Sequence, residues 1–297
     1  MLGRIRTLAV DTVMGFIADE CLSRAAAIAY YTLFSIAPLL VIATAIAGFA
    51  FGEDAVQGAV AGQLEGTVGR EAAVAVQEMV RGASDATEGG IAAAIGITML
   101  LLAASGAFGE LQSALNAIWK TTGPPAGTQI SRFLRAKAAA IGLVAATGFL
   151  LLVSLIISAA IKALGSWIGG VLPETVVLLQ WIAFFVPLAI LTLLFGAIYK
   201  VLPDRDIAWR DVLVGAFATA LLFSIGKTAI GLYLGSSSIG TSFGAAGALV
   251  VLLVWVNYSA VIFLLGAEFT RAWANMHGSC SGAPVPADAG GRSARSN

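Results

Sequence analysis

Few residues in this chain are of kinds that do chemistry, and their spacing suits catalysis poorly. Cys21 and Cys280 are the only cysteines and lie too far apart for a metal motif. Both fall in segments read below as cytosolic, where thiols stay reduced. His277 is the sole histidine, which removes His clusters as metal ligands and leaves no His pair for acid–base work. The one close set of acids is Asp204, Asp206 and Asp211 in PDRDIAWRD. Acids favour helix N-termini, so these read as caps on the helix that follows, with a hydrolase site as the competing account. No GxxxxGK[ST] loop is present. The expectation is a non-enzyme with no cofactor and no metal.

What the residues offer instead is binding, through charged and polar side chains set in apolar runs. Lys227 heads a stretch of 40 uncharged residues that ends at Glu268. With no acid at its depth in the other apolar runs, it is a candidate for an anion such as a lipid phosphate, and snorkelling to the interface is the alternative. Tyr30, Tyr31 and Ser35, and Asn257 with Tyr258 and Ser259, are polar groups that should turn inward and bond between helices or line a cavity. Arg24, Glu110 and Glu268 each fall at the inner boundary of an apolar run and are expected to meet there. They form either a fixed ion-pair lock or a charged vestibule whose pairs break and reform. Pro38 and Pro187 interrupt apolar runs and invite kinks.

The elements that position these residues follow from hydropathy. Hydrophobic residues make up 59% of the 297 and charged residues 11%, with a mean hydropathy of +0.91. A soluble domain carries about 25% charged residues, so lipid is the solvent for most of this chain. The net charge is zero, which gives no sign of a nucleic-acid partner. Charge-free gaps of 28 residues (Arg24 to Glu53), 21 (Glu88 to Glu110), 24 (Lys137 to Lys162) and 25 (Glu174 to Lys200) precede the 40-residue run. Each crosses about 30 Å of hydrocarbon at about 1.5 Å per residue. The glycine- and serine-rich stretch 235–244 divides the last run in two.

The fold class is therefore all-α, a polytopic bundle with six transmembrane helices at about 25–52, 89–113, 138–161, 176–199, 211–234 and 244–268. Residues 1–24 form a cytoplasmic amphipathic segment in which Leu2, Ile5, Ala9, Val13 and Phe16 share a face, an interfacial helix. The first external segment, about 53–90, is acidic and holds short helices. Residues 25–272 are one transmembrane domain, and 273–297 are a disordered tail. Lys and Arg gather on one side, at Arg4, Arg6, Arg24, Lys120, Arg132, Arg135, Lys137, Lys200, Arg205, Arg210, Arg271, Arg292 and Arg295. Only Arg70, Arg81 and Lys162 lie on the other. Both termini are thus expected in the cytoplasm. Gly48 and Gly52, and Gly240 and Gly244, are small-xxx-small pairs suited to close helix approach.

Four stretches together resemble the YihY/virulence factor BrkB family of bacterial inner-membrane proteins. They are AAAIAYYTLFSIAPLLVI (25–42), FGELQSALNAIWK (108–120), LPDRDIAWRDVLVGAFATALLFSIGK (202–227) and YLGSSSIGTSFGAAGALVVLLVWVNYSAVIFLLGAEFTRA (233–272). The resemblance covers about residues 5–272. Phe223-Ser224-Ile225-Gly226 replaces an aromatic–acidic pair found before the lysine in some members, which speaks against acid–base chemistry there. The resemblance implies an inner-membrane location and envelope biology, with a transporter or flippase for an anionic lipid or envelope precursor as its leading function. A non-catalytic scaffold or channel-like assembly subunit is the second reading. A hydrolase or ribonuclease, an older label for the family, is the third and lacks a catalytic set. Membrane lipids and a second copy of the chain are the partners such a bundle admits.

Overall fold

The computed structural model describes residues 2–35, 106–121, 174–236 and 247–277, and every described element is helical. Helix α1 spans Leu2–Ala18, α2 runs over 21–35 and α3 over 106–118. The long helices are α4 (Glu174–Val201), α5 (Trp209–Ser236) and α6 (Gly247–His277). Pro38, the spans at 138–161 and most of 25–52 and 89–113, the 53–90 segment, the tail and both expected glycine pairs lie outside the described residues.

Three helices among the described residues are long and apolar enough to cross a membrane, with windows at Phe184–Val201, Trp209–Tyr233 and Leu249–His277. Their outer surfaces suit lipid: Leu213, Phe217, Leu221, Ile225 and Leu232 of α5 are exposed. Trp209 and Tyr233, also exposed, mark the two ends of α5. They stand about 36 Å apart along a helix rising about 1.5 Å per residue, which matches aromatic residues at two interfaces.

Local chemistry sets the helix ends. Pro203 stops α4, since the residue before a proline is pushed out of helical geometry. Ala208 starts α5, its carbonyl accepting from the Asp211 and Val212 amides at 3.0 and 3.2 Å. Of the three PDRDIAWRD acids only Asp211 lies in the first turn of α5. The expected cap is thus confined to Asp211, because Asp204 and Asp206 are held in the connector by other partners. Helix α3 closes in a Schellman turn, with Thr121 N donating to Asn116 O and Lys120 N to Ala117 O, both at 3.0 Å. Lys120 (φ 48°) occupies the left-handed position that glycine usually fills, and Glu20 (φ 53°) does the same after α1. Pro187 lies inside α4, which continues through it.

Helix α5 packs against both α4 and α6, and α1 lies on α6. The contacts of α5 with α6 step down one helix as they step up the other, so the two are antiparallel. A Cβ on Gly215 would run into Thr270, and one on Gly266 would run into Thr219. The glycine of each helix thus receives the threonine of the other, four residues along. Each hydroxyl is satisfied by its own helix: Thr219 Oγ1 donates to Gly215 O (2.7 Å) and Thr270 Oγ1 to Gly266 O (2.6 Å). Buried Tyr199 ties in α4, donating to Phe263 O at 2.6 Å with Thr219 Oγ1 3.2 Å away. Phe195 and Phe263 pack against its ring at centroid distances of 6.5 and 5.0 Å, and Phe223 meets Phe195 at 5.7 Å.

Candidate functional site

The polar side chains collect at one end of this bundle. Asp19, in the two-residue break between α1 and α2, accepts from Lys120 Nζ through Oδ1. Its Oδ2 lies 3.6 Å from Arg271 Nη1 on α6. Arg271 Nη2 is 3.0 Å from Glu268 Oε2, and Arg271 Nη1 also donates to Ile118 O at 3.1 Å. Arg24 binds the Asp19 carbonyl through Nε (3.1 Å) and reaches Ser113 Oγ (3.3 Å) and Glu110 Oε1 (3.6 Å) through Nη1. One ionic network therefore joins the end of α1 to α2, α3 and α6.

The connector 202–208 docks on the same end. Asn116 and Asp204 exchange two hydrogen bonds, Nδ2 to Oδ2 and backbone N to Oδ1, both 2.9 Å. Arg205 Nη1 donates to Trp119 O at 2.7 Å, while Lys200 Nζ pairs with Asp206 at 3.1 Å and donates to Ile207 O at 2.8 Å.

Burial makes the network unusual. Glu268 is fully buried and Asp19 nearly so. Among the described residues no hydrogen bond reaches Asp19 Oδ2, Trp119 Nε1, either Glu268 oxygen or Arg271 Nε, though all are buried. Buried polar groups normally find partners, and an under-satisfied set marks a place that can rearrange. Cys21 is buried in its midst. Burial first, then the Glu268 and Asp19 carboxylates, push its thiol up to about 12. The thiolate is the reactive form, and burial and the neighbouring carboxylates both disfavour it at Cys21. A raised thiol stabilises the fold fully below about pH 9, and that contribution is lost as pH climbs toward about 12.

Of the expected trio, Arg24 and Glu110 pair directly. Glu268 instead pairs with Arg271, one turn along its own helix. The helix itself continues past Glu268 to His277, with Phe269, Trp273 and His277 stacked along its last turns (6.4 and 4.5 Å). Asp19, Lys120 and Arg271 were missed as site residues. The signal for Arg271 is its spacing of three from Glu268; Asp19 finds its partners across more than a hundred residues, which no local spacing reveals.

The expected inward polar groups behave differently from one another. Ser35 and Ser259 donate to Thr32 O (3.0 Å) and Trp255 O (2.9 Å) in their own helices, satisfying themselves without a partner helix. Tyr30 is exposed beside Phe34 with centroids 4.9 Å apart, and Tyr31 lies over Gly106 of α3. Asn257 is half-buried. Lys227 is exposed and has no carboxylate partner among the described residues. Its register is nevertheless that of the packed stripe of α5, made by Val212, Ala216, Ala220, Phe223 and Ile230. The neighbouring Gly226 is the position that meets α6: a Cβ there would stand 2.8 Å from the Tyr258 hydroxyl. Among the described residues, no three His, Cys, Asp or Glu side chains gather as metal ligands.

The family profile described as Virulence factor BrkB matches residues 12–288. An Alcanivorax borkumensis relative named UPF0761 membrane protein is 28% identical over 90% of this chain and 60% of its own. UPF0761 membrane protein RC1_0578 of Rhodospirillum centenum is 25% identical over 83% of this chain and 52% of its own. UPF0761 membrane protein YihY of Salmonella newport is 36% identical over 108 residues, 36% of this chain and 33% of that one. The chain thus spans at most three-fifths of the length of these relatives. No solved structure matches.

Proposed function

Because the chain belongs to the virulence factor BrkB family, a family with relatives named as membrane proteins, we propose that it moves an anionic lipid or envelope precursor between the leaflets of the bacterial inner membrane. In this reading it has six spans with both termini in the cytoplasm, and it performs no covalent chemistry. The ends of α3, α4 and α6 meet the starts of α2 and α5 at the ionic network, as an even number of crossings between each departure and return requires. The carrying observation is Lys227. It is exposed on a helix long and apolar enough to cross a membrane, in the register of that helix's packed stripe, with no carboxylate partner among the described residues. A lysine at a helix centre costs roughly 2.5–3.5 kcal/mol in lipid and less toward an end, where Lys227 lies, and an anionic headgroup lowers that penalty.

The ionic network is assigned to the cytoplasmic end, where it closes the path that Lys227 serves from the other side. The test is lipid retention. Purified protein released from detergent in a mass spectrometer should carry phosphatidylglycerol in preference to phosphatidylcholine. Lys227→Ala should lose that preference and Lys227→Arg should keep it. Equal retention of both lipids by the unaltered chain would remove the basis for the reading.

A further inference from the structure

Helix α1 presents two different faces. One, formed by Leu8, Thr12, Gly15, Phe16 and Asp19, turns toward the bundle. It sits so close to α6 that a Cβ on Gly15 would run into the Glu268 and Arg271 side chains. The other holds Ile5, Val10, Val13, Met14 and Ile17, each at least half exposed. Apolar residues of that size left open on a short helix are not explained by its packing on α6. Phe16, expected on the open face, belongs to the packed one because the contact is made by the small stripe through Gly15.

We propose that α1 is a strap: its open face inserts into the bilayer leaflet at the charged end of the bundle while its packed face holds the ionic network shut. Two features identify lipid as the occupant. The face is continuous in sequence and character with exposed Leu22, Tyr30 and Phe34 of α2, which opens the apolar surface of the bundle. Exposed Arg4 and Arg6 at its N-terminal end suit anionic headgroups. The mechanical link is Asp19, which terminates the strap and pairs with both Lys120 and Arg271. Lifting α1 breaks those pairs and loosens the end of the bundle in which Cys21, two residues beyond Asp19, is buried.

Cys21 is therefore a native reporter of strap opening. The full chain carrying Cys280→Ser is placed in nanodiscs of phosphatidylethanolamine and phosphatidylglycerol and labelled with a soluble maleimide. The parent should label slowly. Val13→Asp/Ile17→Asp, which alters only exposed positions, should label at least about tenfold faster, because labelling follows the open population. Asp19→Asn should label faster by a similar factor in the same discs. Unchanged labelling in the Val13→Asp/Ile17→Asp variant overturns the proposal, because the leaflet then plays no part in holding the strap. Val13–Val13 cross-linking between chains through an introduced cysteine pair would also overturn it, by making a second copy the occupant.

Discussion

The seam between α5 and α6 and the ionic end of the bundle solve the same problem, joining helices, by opposite means. The seam uses two glycines, two threonines and a tyrosine, with every hydroxyl satisfied and no charge. The ionic end uses carboxylates, a lysine and arginines, several of whose buried atoms make no hydrogen bond among the described residues. A close-packed apolar seam has one arrangement, since any displacement opens voids. A buried ionic network offsets much of its Coulombic gain by desolvation, so it holds its helices less firmly for the same burial. The difference teaches that the seam fixes the architecture, and it is at the charged end that the strap proposal locates movement.

The sharpest way to break this contrast is to overpack the seam. Gly266→Leu should destabilise by about 3 kcal/mol, since the new side chain has only Thr219 to displace. Unfolding by titrated dodecyl sulfate would measure it, and a loss near zero would mean that the seam is loose. Asp19→Asn comes next, at about 2–3 kcal/mol. That is below the range for a fully enclosed pair because Lys120 is half exposed. It should also raise Cys21 labelling, whereas Gly266→Leu at matched stability should not. Tyr199→Phe should cost about 1–2 kcal/mol for the lost bond to Phe263 O, with labelling unchanged. The smallest change has the opposite sign. Glu20→Gly should stabilise by about 0.5–1 kcal/mol by relieving its left-handed backbone.

The sequence made the apolar helices legible because lipid forces long charge-free runs, and α4, α5 and the start of α6 fall within a few residues of those runs. Helix ends are less legible than the runs themselves. Glu268 closes the charge-free run, yet the helix that carries it continues to His277, so a run of this kind does not give a helix end. The seam was hidden for another reason. Among 34 glycines, Gly215 and Gly266 gain meaning only from the register between two helices, and Gly48/Gly52 and Gly240/Gly244 are equally good in sequence. Arg24 and Glu110 were readable because both sit at span boundaries. Asp19 was not, because its partners Lys120 and Arg271 arrive through the fold.

The division of labour finally depends on Lys227 acting on a lipid that the charged end releases or admits. Vesicles holding the purified chain, loaded with fluorescent phosphatidylglycerol in one leaflet, measure this directly by quencher accessibility over time. Faster movement of phosphatidylglycerol than of phosphatidylcholine, abolished by Lys227→Ala and preserved by Lys227→Arg, is the predicted result. Movement at the rate of protein-free vesicles, or identical rates for the parent and Lys227→Ala, would contradict the account.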